Sequence, residues 1–282
     1  MQQPPIPILR ALCPIVGAFV CCVPQPSAAA PGDLDIDFNG TGKATTAFAS
    51  GDSGAVGVTI QQDGKILVGG YAYTGSTNDF ALARYDTNGS LDTNFNGSGM
   101  VVTKFGSGSD IRAVAQQQDG KIVAAGRGWN NGTGSVAVVR YHSDGSLDTA
   151  FNGSGIVTTD VGISAASARG VAIQQDGKIV VGGTTWNGSD PSFALVRYNV
   201  NGSLDTNFNG GGKVVTDFGG GDEQGNCVAL QEDGKIVVAG YAYDGAKYNF
   251  AMARYESTGN LDTNFNATGT VTTAIGGGTD LG

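Results

Sequence analysis

A chain of 282 residues with 40% hydrophobic content can bury a core, while 47 glycines and only 15% charged residues require many turns and close backbone packing. The net charge is −9, and without its first thirty residues the chain keeps 15 basic against 25 acidic side chains. Such an acidic balance, with no basic cluster, argues against nucleic acid or an anionic membrane as partner.

Residues 1–29 read as a secretory signal peptide. Arg10 precedes an apolar run from Ala11 to Val23, and Pro24, Pro26, Ser27 and Ala28 to Ala30 follow it. Cleavage after Ala29 is expected, because a cut after Ala30 would leave Pro31 directly behind the scissile bond. An uncleaved anchor is the alternative, but about 13 apolar residues are short for a bilayer. The leader implies an exported protein, periplasmic, extracellular or on the cell surface, free of the membrane once cleaved. It also holds Cys13, Cys21 and Cys22, so the mature chain keeps Cys227 alone and forms no internal disulfide. Cys227 stands where other copies of an internal repeat have Gly57, Ala113 and Gly170, which predicts a small, buried filler.

That repeat is built on a hairpin. Asp63-Gly64, Asp119-Gly120, Asp176-Gly177 and Asp233-Gly234 each join two apolar runs at a spacing of 56 or 57 residues. Asp-Gly suits a two-residue type I′ turn, with Gly at positive φ. A third run follows, Phe80 to Tyr85, Val136 to Tyr141, Phe193 to Tyr198 and Phe250 to Tyr255. A fourth comes after a loop, at Met100 to Phe105, Gly155 to Val161, Lys213 to Phe218 and Thr270 to Ile275. Short runs rich in Val, Ile, Phe and Tyr, bounded by Gly, Asn, Asp and Ser, are strands. Four strands per 57 residues predict an all-β fold, a β-propeller-like array of four-stranded antiparallel blades.

The loop before the fourth strand is the most regular element: Leu91-Asp-Thr-Asn-Phe-Asn-Gly97 recurs from Leu147, Leu204 and Leu261, and an early copy starts at Leu34. Together the Leu-Asp-x-x-Phe loop, the Gln-x-Asp-Gly-Lys hairpin and the Phe-Ala-x-x-Arg-Tyr strand resemble the delta-60 repeat of bacterial exported proteins. The resemblance covers residues 33–282 and implies a propeller-like fold in secreted or surface proteins, with no activity to carry over. One repeat domain, 33–282, is expected, with a partial unit 33–54 and four units at 55–110, 111–167, 168–224 and 225–282. The chain starts on half a unit, so either four blades close with a spare strand at Lys43 to Phe48, or the array is an open arc.

Several motifs read as scaffold. Asp92 to Gly97 and Asp35 to Gly40 open like an EF-hand loop but carry Thr103 and Thr46 where the bidentate Glu belongs, so calcium is not expected. Leu91 and Phe95 should instead plug the blade while Asp92 holds the turn backbone. Arg84, Arg140, Arg197 and Arg254 recur at one position and Lys65, Lys121, Lys178 and Lys235 at another. A residue that every copy needs should pair within the fold. The single His142 falls in an exposed turn, which leaves no Ser-His-Asp set and no His-ligated zinc. No cofactor or metal is expected.

Two sets of side chains remain for a site. Tyr73, Trp129, Trp186 and Tyr243 follow the second strands, and Asp52, Asp110 and Asp222 with Glu223 lie in loops entering the first strands. In up-and-down blades these loops share one face, aromatic and acidic. The reading is a non-enzymatic exported module binding a protein or glycan partner through Tyr73, Trp129, Trp186, Tyr243, Asp52, Asp110 and Asp222. A carbohydrate-active enzyme pairing Asp110 with Asp222 or Glu223, and a purely structural surface array, are the alternatives.

Overall fold

The computed structural model describes residues 32–48, 51–130, 132–186, 188 and 190–275. The leader-like segment 1–29 lies outside the described residues. Among the described residues, sixteen strands form four antiparallel sheets, each in sequence order. The first holds β1 (Ser53–Ile60), β2 (Ile66–Tyr73), β3 (Asn78–Tyr85) and β4 (Met100–Thr103). The second holds β5 (Ser109–Gln116), β6 (Ile122–Asn130), β7 (Thr133–Tyr141) and β8 (Ile156–Thr159). In the third are β9 (Ala166–Ile173), β10 (Ile179–Trp186), β11 (Pro191–Tyr198) and β12 (Lys213–Thr216), and in the fourth β13 (Glu223–Leu230), β14 (Ile236–Tyr243), β15 (Tyr248–Tyr255) and β16 (Thr270–Thr273). Each sheet is a propeller blade, as the repeat predicts.

The hairpin turn differs from the expected one. Gln61 and Lys65 close the ladder, and Gly64 N–H donates to the Gln61 carbonyl at 2.9 Å. The loop is therefore three residues, Gln62, Asp63 and Gly64, a type I turn ended by a left-handed Gly with φ of 82°. Asp63 keeps ordinary φ because its carboxylate is spent on accepting the Lys65 N–H at 3.2 Å. Gly177, at φ 81°, occupies the same position.

The core lies between sheets rather than within them. One cluster joins Leu67, Phe80, Leu82 and Phe95 of the first sheet to Val114, Ile122, Val139 and Tyr141 of the second. Two more clusters fill the next two seams. Third strands alternate so that Leu82 serves one seam while Ala81 and Ala83 face the other, which is why they read apolar without a break.

The repeated polar residues clamp these seams. Arg84, Arg140 and Arg197 donate through Nε to Asp92, Asp148 and Asp205 at 2.7, 2.7 and 2.8 Å, and through Nη1 to turn carbonyls of the following sheet at Ser143, Val200 and Ser257. The Leu-Asp-x-x-Phe loop also reaches across: Phe95 is fully buried against the Gly145 turn, and Asn96 N–H donates to the Asp144 carbonyl at 2.7 Å. Asp92 accepts the Asn94 N–H at 3.1 Å and contacts Lys65 at 3.0 Å.

First strands β1, β5, β9 and β13 pack successively along the inner edge, and among the described residues the fourth sheet forms no seam with the first. The array is an open arc. Lys43 to Phe48 forms no strand, yet it hooks onto the first sheet, where the Tyr85 hydroxyl donates to Thr46 Oγ1 at 2.6 Å. Openness also overturns the expectation for Cys227, which is exposed. On β13 it faces outward from the fourth sheet, where no blade among the described residues covers it.

Candidate functional site

A bulge positions the site. In each sheet the first strand carries one extra residue opposite the second, between Ala55 and Gly57, Ile111 and Ala113, Ala168 and Gly170, and Gly225 and Cys227. The partner strand must pass close: a Cβ on Gly126 would lie 1.9 Å from the Asp110 carbonyl oxygen, so only Gly fits there. Bulges re-aim side chains next to functional sites. The extra residues are Val56, Arg112, Arg169 and Asn226, so the copies differ in charge at this position. Just ahead, the pairs Gly54 with Tyr71, Asp110 with Arg127, Ser167 with Thr184 and Gln224 with Tyr241 diverge as well.

These divergent side chains form one polar ridge across the second to fourth sheets. Asp110 contacts Arg112 Nε at 2.8 Å and Arg127 Nε at 3.6 Å. Arg169 donates to Gln224 Oε1 at 2.8 Å, and Gln224 donates in turn to Asn226 Oδ1 at 2.8 Å. The Arg127 guanidinium stacks 3.8 Å from the Trp129 ring centroid. Burial, opposed by Asp110 but reinforced by the Arg112 charge, holds Arg127 below the ordinary guanidinium range. Burial followed by the Arg112 charge does the same to Arg169. Arg112 and Arg127 thus share the Asp110 carboxylate, and Arg169 lies close enough to feel their charges, a positive centre in an acidic protein.

Hydrogen bonding there is incomplete. Among the described residues, Arg112 Nε, Arg127 Nε, Arg169 Nε and Thr184 Oγ1 are buried side-chain atoms with no hydrogen-bond partner, Arg112 Nε being close to Asp110 without being aligned on it. A buried unpaired donor costs on the order of 1–3 kcal/mol, which binding of an acceptor recovers.

The structure places the expected aromatic and acidic loops together, sheet by sheet. Tyr73 N–H donates to the Asp52 carbonyl, Trp129 to Gly108, Trp186 to Ala165 and Tyr243 to Asp222, each at 2.8 Å. Tyr73 is 40% exposed and turns its hydroxyl to the Gly75 carbonyl at 2.9 Å, while Trp129, Trp186 and Tyr243 are half-buried. Tyr248, absent from the sequence reading, completes a cluster with ring centroids 5.1 Å from Tyr241 and 5.2 Å from Tyr243. Its hydroxyl donates to Asp222 Oδ2 at 2.6 Å, which pushes the phenol up to about 12.

The face is less acidic than its sequence suggests. Asp110 is taken up by arginines and Asp222 by Tyr248, while Asp52 is exposed at the first sheet. Glu223 is buried and raised above the usual carboxylate range by that burial and then by Asp217. It lines a depression with Asp190, Ser192 and Asp217 in the seam of the third and fourth sheets, among neighbours it does not share with Asp110. Arg112 and Arg169 escaped the sequence reading, although divergence at a repeat position was the available signal.

Comparison with known proteins agrees with the blades. Residues 61–95, 117–151, 174–208 and 231–265 each match the family described as Domain of unknown function (DUF5122) beta-propeller. No curated protein matches significantly. Similar solved structures include a catalytically inactive virginiamycin B lyase from Staphylococcus aureus with quinupristin, at 12% identity and a TM-score of 0.44, covering 76% of this chain and 56% of that one. A gluconolactonase from Xanthomonas campestris has 12% identity and a TM-score of 0.40, covering 73% and 60%. A PL25 ulvan lyase has 13% identity and a TM-score of 0.46, covering 76% and 56%. The chain spans little more than half the length of these proteins.

Proposed function

We propose that this β-propeller repeat protein is an exported, non-enzymatic binding module that takes an anionic glycan on the inner edge of its second to fourth sheets. The observation that carries the reading is the sharing of the Asp110 carboxylate by Arg112 and Arg127 with Arg169 on the neighbouring sheet, the Nε atoms of all three being buried without a hydrogen-bond partner. Guanidinium groups suit planar carboxylates, and the adjoining rings of Trp129, Tyr241 and Tyr243 offer apolar platforms to sugar faces. The leader-like residues 1–29 and the delta-60 resemblance support an exported location. The separate surroundings of Asp110 and Glu223 favour binding over glycoside cleavage, which needs two carboxylates facing one bond.

Calorimetric titration with a polyuronate and with a neutral glucan of equal length tests this. Binding should be confined to the polyuronate and weaken with salt. Arg127→Ala and Arg169→Ala should each weaken it about tenfold to a hundredfold, the loss of a charge-assisted hydrogen bond of about 1.5–3 kcal/mol. Equal binding of the neutral chain, or an unchanged affinity in both variants, would sink the proposal. Binding of an acidic peptide but of no glycan would reject the ligand class.

A further inference from the structure

The two ends of the arc carry the two halves of one interface. Inside the chain each seam is made alike: Phe95, Phe151 and Phe208 are fully buried, and Thr103, Thr159 and Thr216 meet the hydroxyls of Tyr141, Tyr198 and Tyr255 in the following sheet at 2.7 Å. The fourth sheet carries the same set, Phe265, Asn266 and Thr273, and among the described residues no sheet covers it. The cost shows in the row that Phe80 and Phe193 occupy, both 0% exposed at their seams, because Phe250 in that row is 37% exposed. A depression of about 310 Å³ opens there beside Cys227, Phe250, Met252 and Val271.

At the other end the first sheet shows the face that accepts such a set. Val58 is 65% exposed, whereas its counterpart Val114 is 9% exposed under the first sheet. A second depression of about 510 Å³ lies over Val68, Ala81 and Tyr85. Residues 33–48 already use part of this face: Asn39 N–H donates to the Asn88 carbonyl at 2.6 Å and the Tyr85 hydroxyl reaches Thr46, the bonds a preceding unit would make. They lack the three inner strands, so the apolar face stays open beside them.

We propose that the fourth sheet docks on the first sheet of a second copy of this chain, displacing residues 33–48, and that two copies close head to tail through two equivalent seams. The occupant follows from the repeat: Phe265, Asn266 and Thr273 bring the groups that Phe38, Asn39 and Thr46 bring, together with the strands that cover Val58 and Val68. Two arcs of four blades give eight, within the range of closed propellers, and a heterologous contact that closes avoids a filament.

Light-scattering mass of the full chain over a rising concentration series tests this. The mass should climb from one copy to two and stop. Met252→Lys and Val68→Glu should each return it to one copy that melts as the dilute, undimerised wild type does, and mixing the two variants should restore the dimer, since Lys then meets Glu across the seam. Phe38→Ala, by loosening residues 33–48, should lower the concentration at which dimers form. A wild-type chain that stays single, a mass that keeps growing, a Val68→Glu variant that dimerises normally, or a mixture that fails to associate would overturn it.

Discussion

Asp205 shows how one side chain holds two sheets. It lies 2% exposed, 2.8 Å from Arg197 Nε and 3.0 Å from Lys178 Nζ, and accepts the Asn207 N–H at 3.2 Å. Arg197 carries the link across the seam to the Ser257 carbonyl at 2.6 Å. Removing one partner of a buried pair leaves the other charge unmatched, so Asp205→Asn should cost about 3–5 kcal/mol, read as a lower urea midpoint. Burial alone would raise the pKa of Asp205, but Lys178 and Arg197 outweigh it and hold it below its ordinary 3.8. The same holds for Asp92 and Asp148, and Asp262, bonded first by Lys235, falls to about 2. A depressed folded-state pKa contributes stability that is complete above the unfolded value and is lost as pH falls through the folded one. The melting temperature should therefore hold down to about pH 4 and drop steeply towards pH 2, and a flat profile there would contradict these pairs.

At the scale of the element, the bulged inner strand separates scaffold from site. Hairpin, third strand and clamp loop repeat in each copy, with equivalent cross-seam partners in the first three, whereas the bulge displays Arg112 in one sheet and Asn226 in another. Gly126 makes this possible by letting the Asp110 carbonyl approach within a distance no side chain tolerates. Gly126→Ala should push the first strand off its register, costing about 1–3 kcal/mol as overpacking does. Because Asp110 and Arg112 move with the strand, anionic ligand affinity should fall further than stability. Melting and titration of one sample check this, and a variant melting lower with full affinity would show that the bulge does not aim the site.

As a whole molecule the protein is a one-dimensional stack whose sheets touch only their neighbours, and stability in such arrays sums over repeats and seams. The second and third sheets have a seam on both sides; the first is covered partly by residues 33–48, and the fourth is bare on one face. Hydrogen exchange in dilute protein should therefore be slowest in β6, β7, β10 and β11 and fastest in β16, whose residues are half-buried or exposed. Uniform protection across the four sheets would mean that the arc unfolds as one unit.

Much of this was legible in the sequence because the information was local and repeated. Strand number, order and antiparallel pairing follow from apolar runs and turn residues recurring every 57 positions, and the pairing duty of Arg84 or Lys65 follows from its presence in every copy. The three-residue turn was hidden because Asp-Gly serves both loop lengths, and only the ladder decides which residues close it. Cys227 resembles its counterparts in sequence position, but its burial depends on a following sheet, a property of the array's end. The arginine cluster proposed to bind an anion was invisible for the same kind of reason. Arg112 and Arg127 come from one sheet and Arg169 from the next, 42 or more residues along the chain, and the packing of the bulged first strands brings their charges near one another. Repetition determined the blade; the stacking of unlike copies decided where the protein has chemistry to offer.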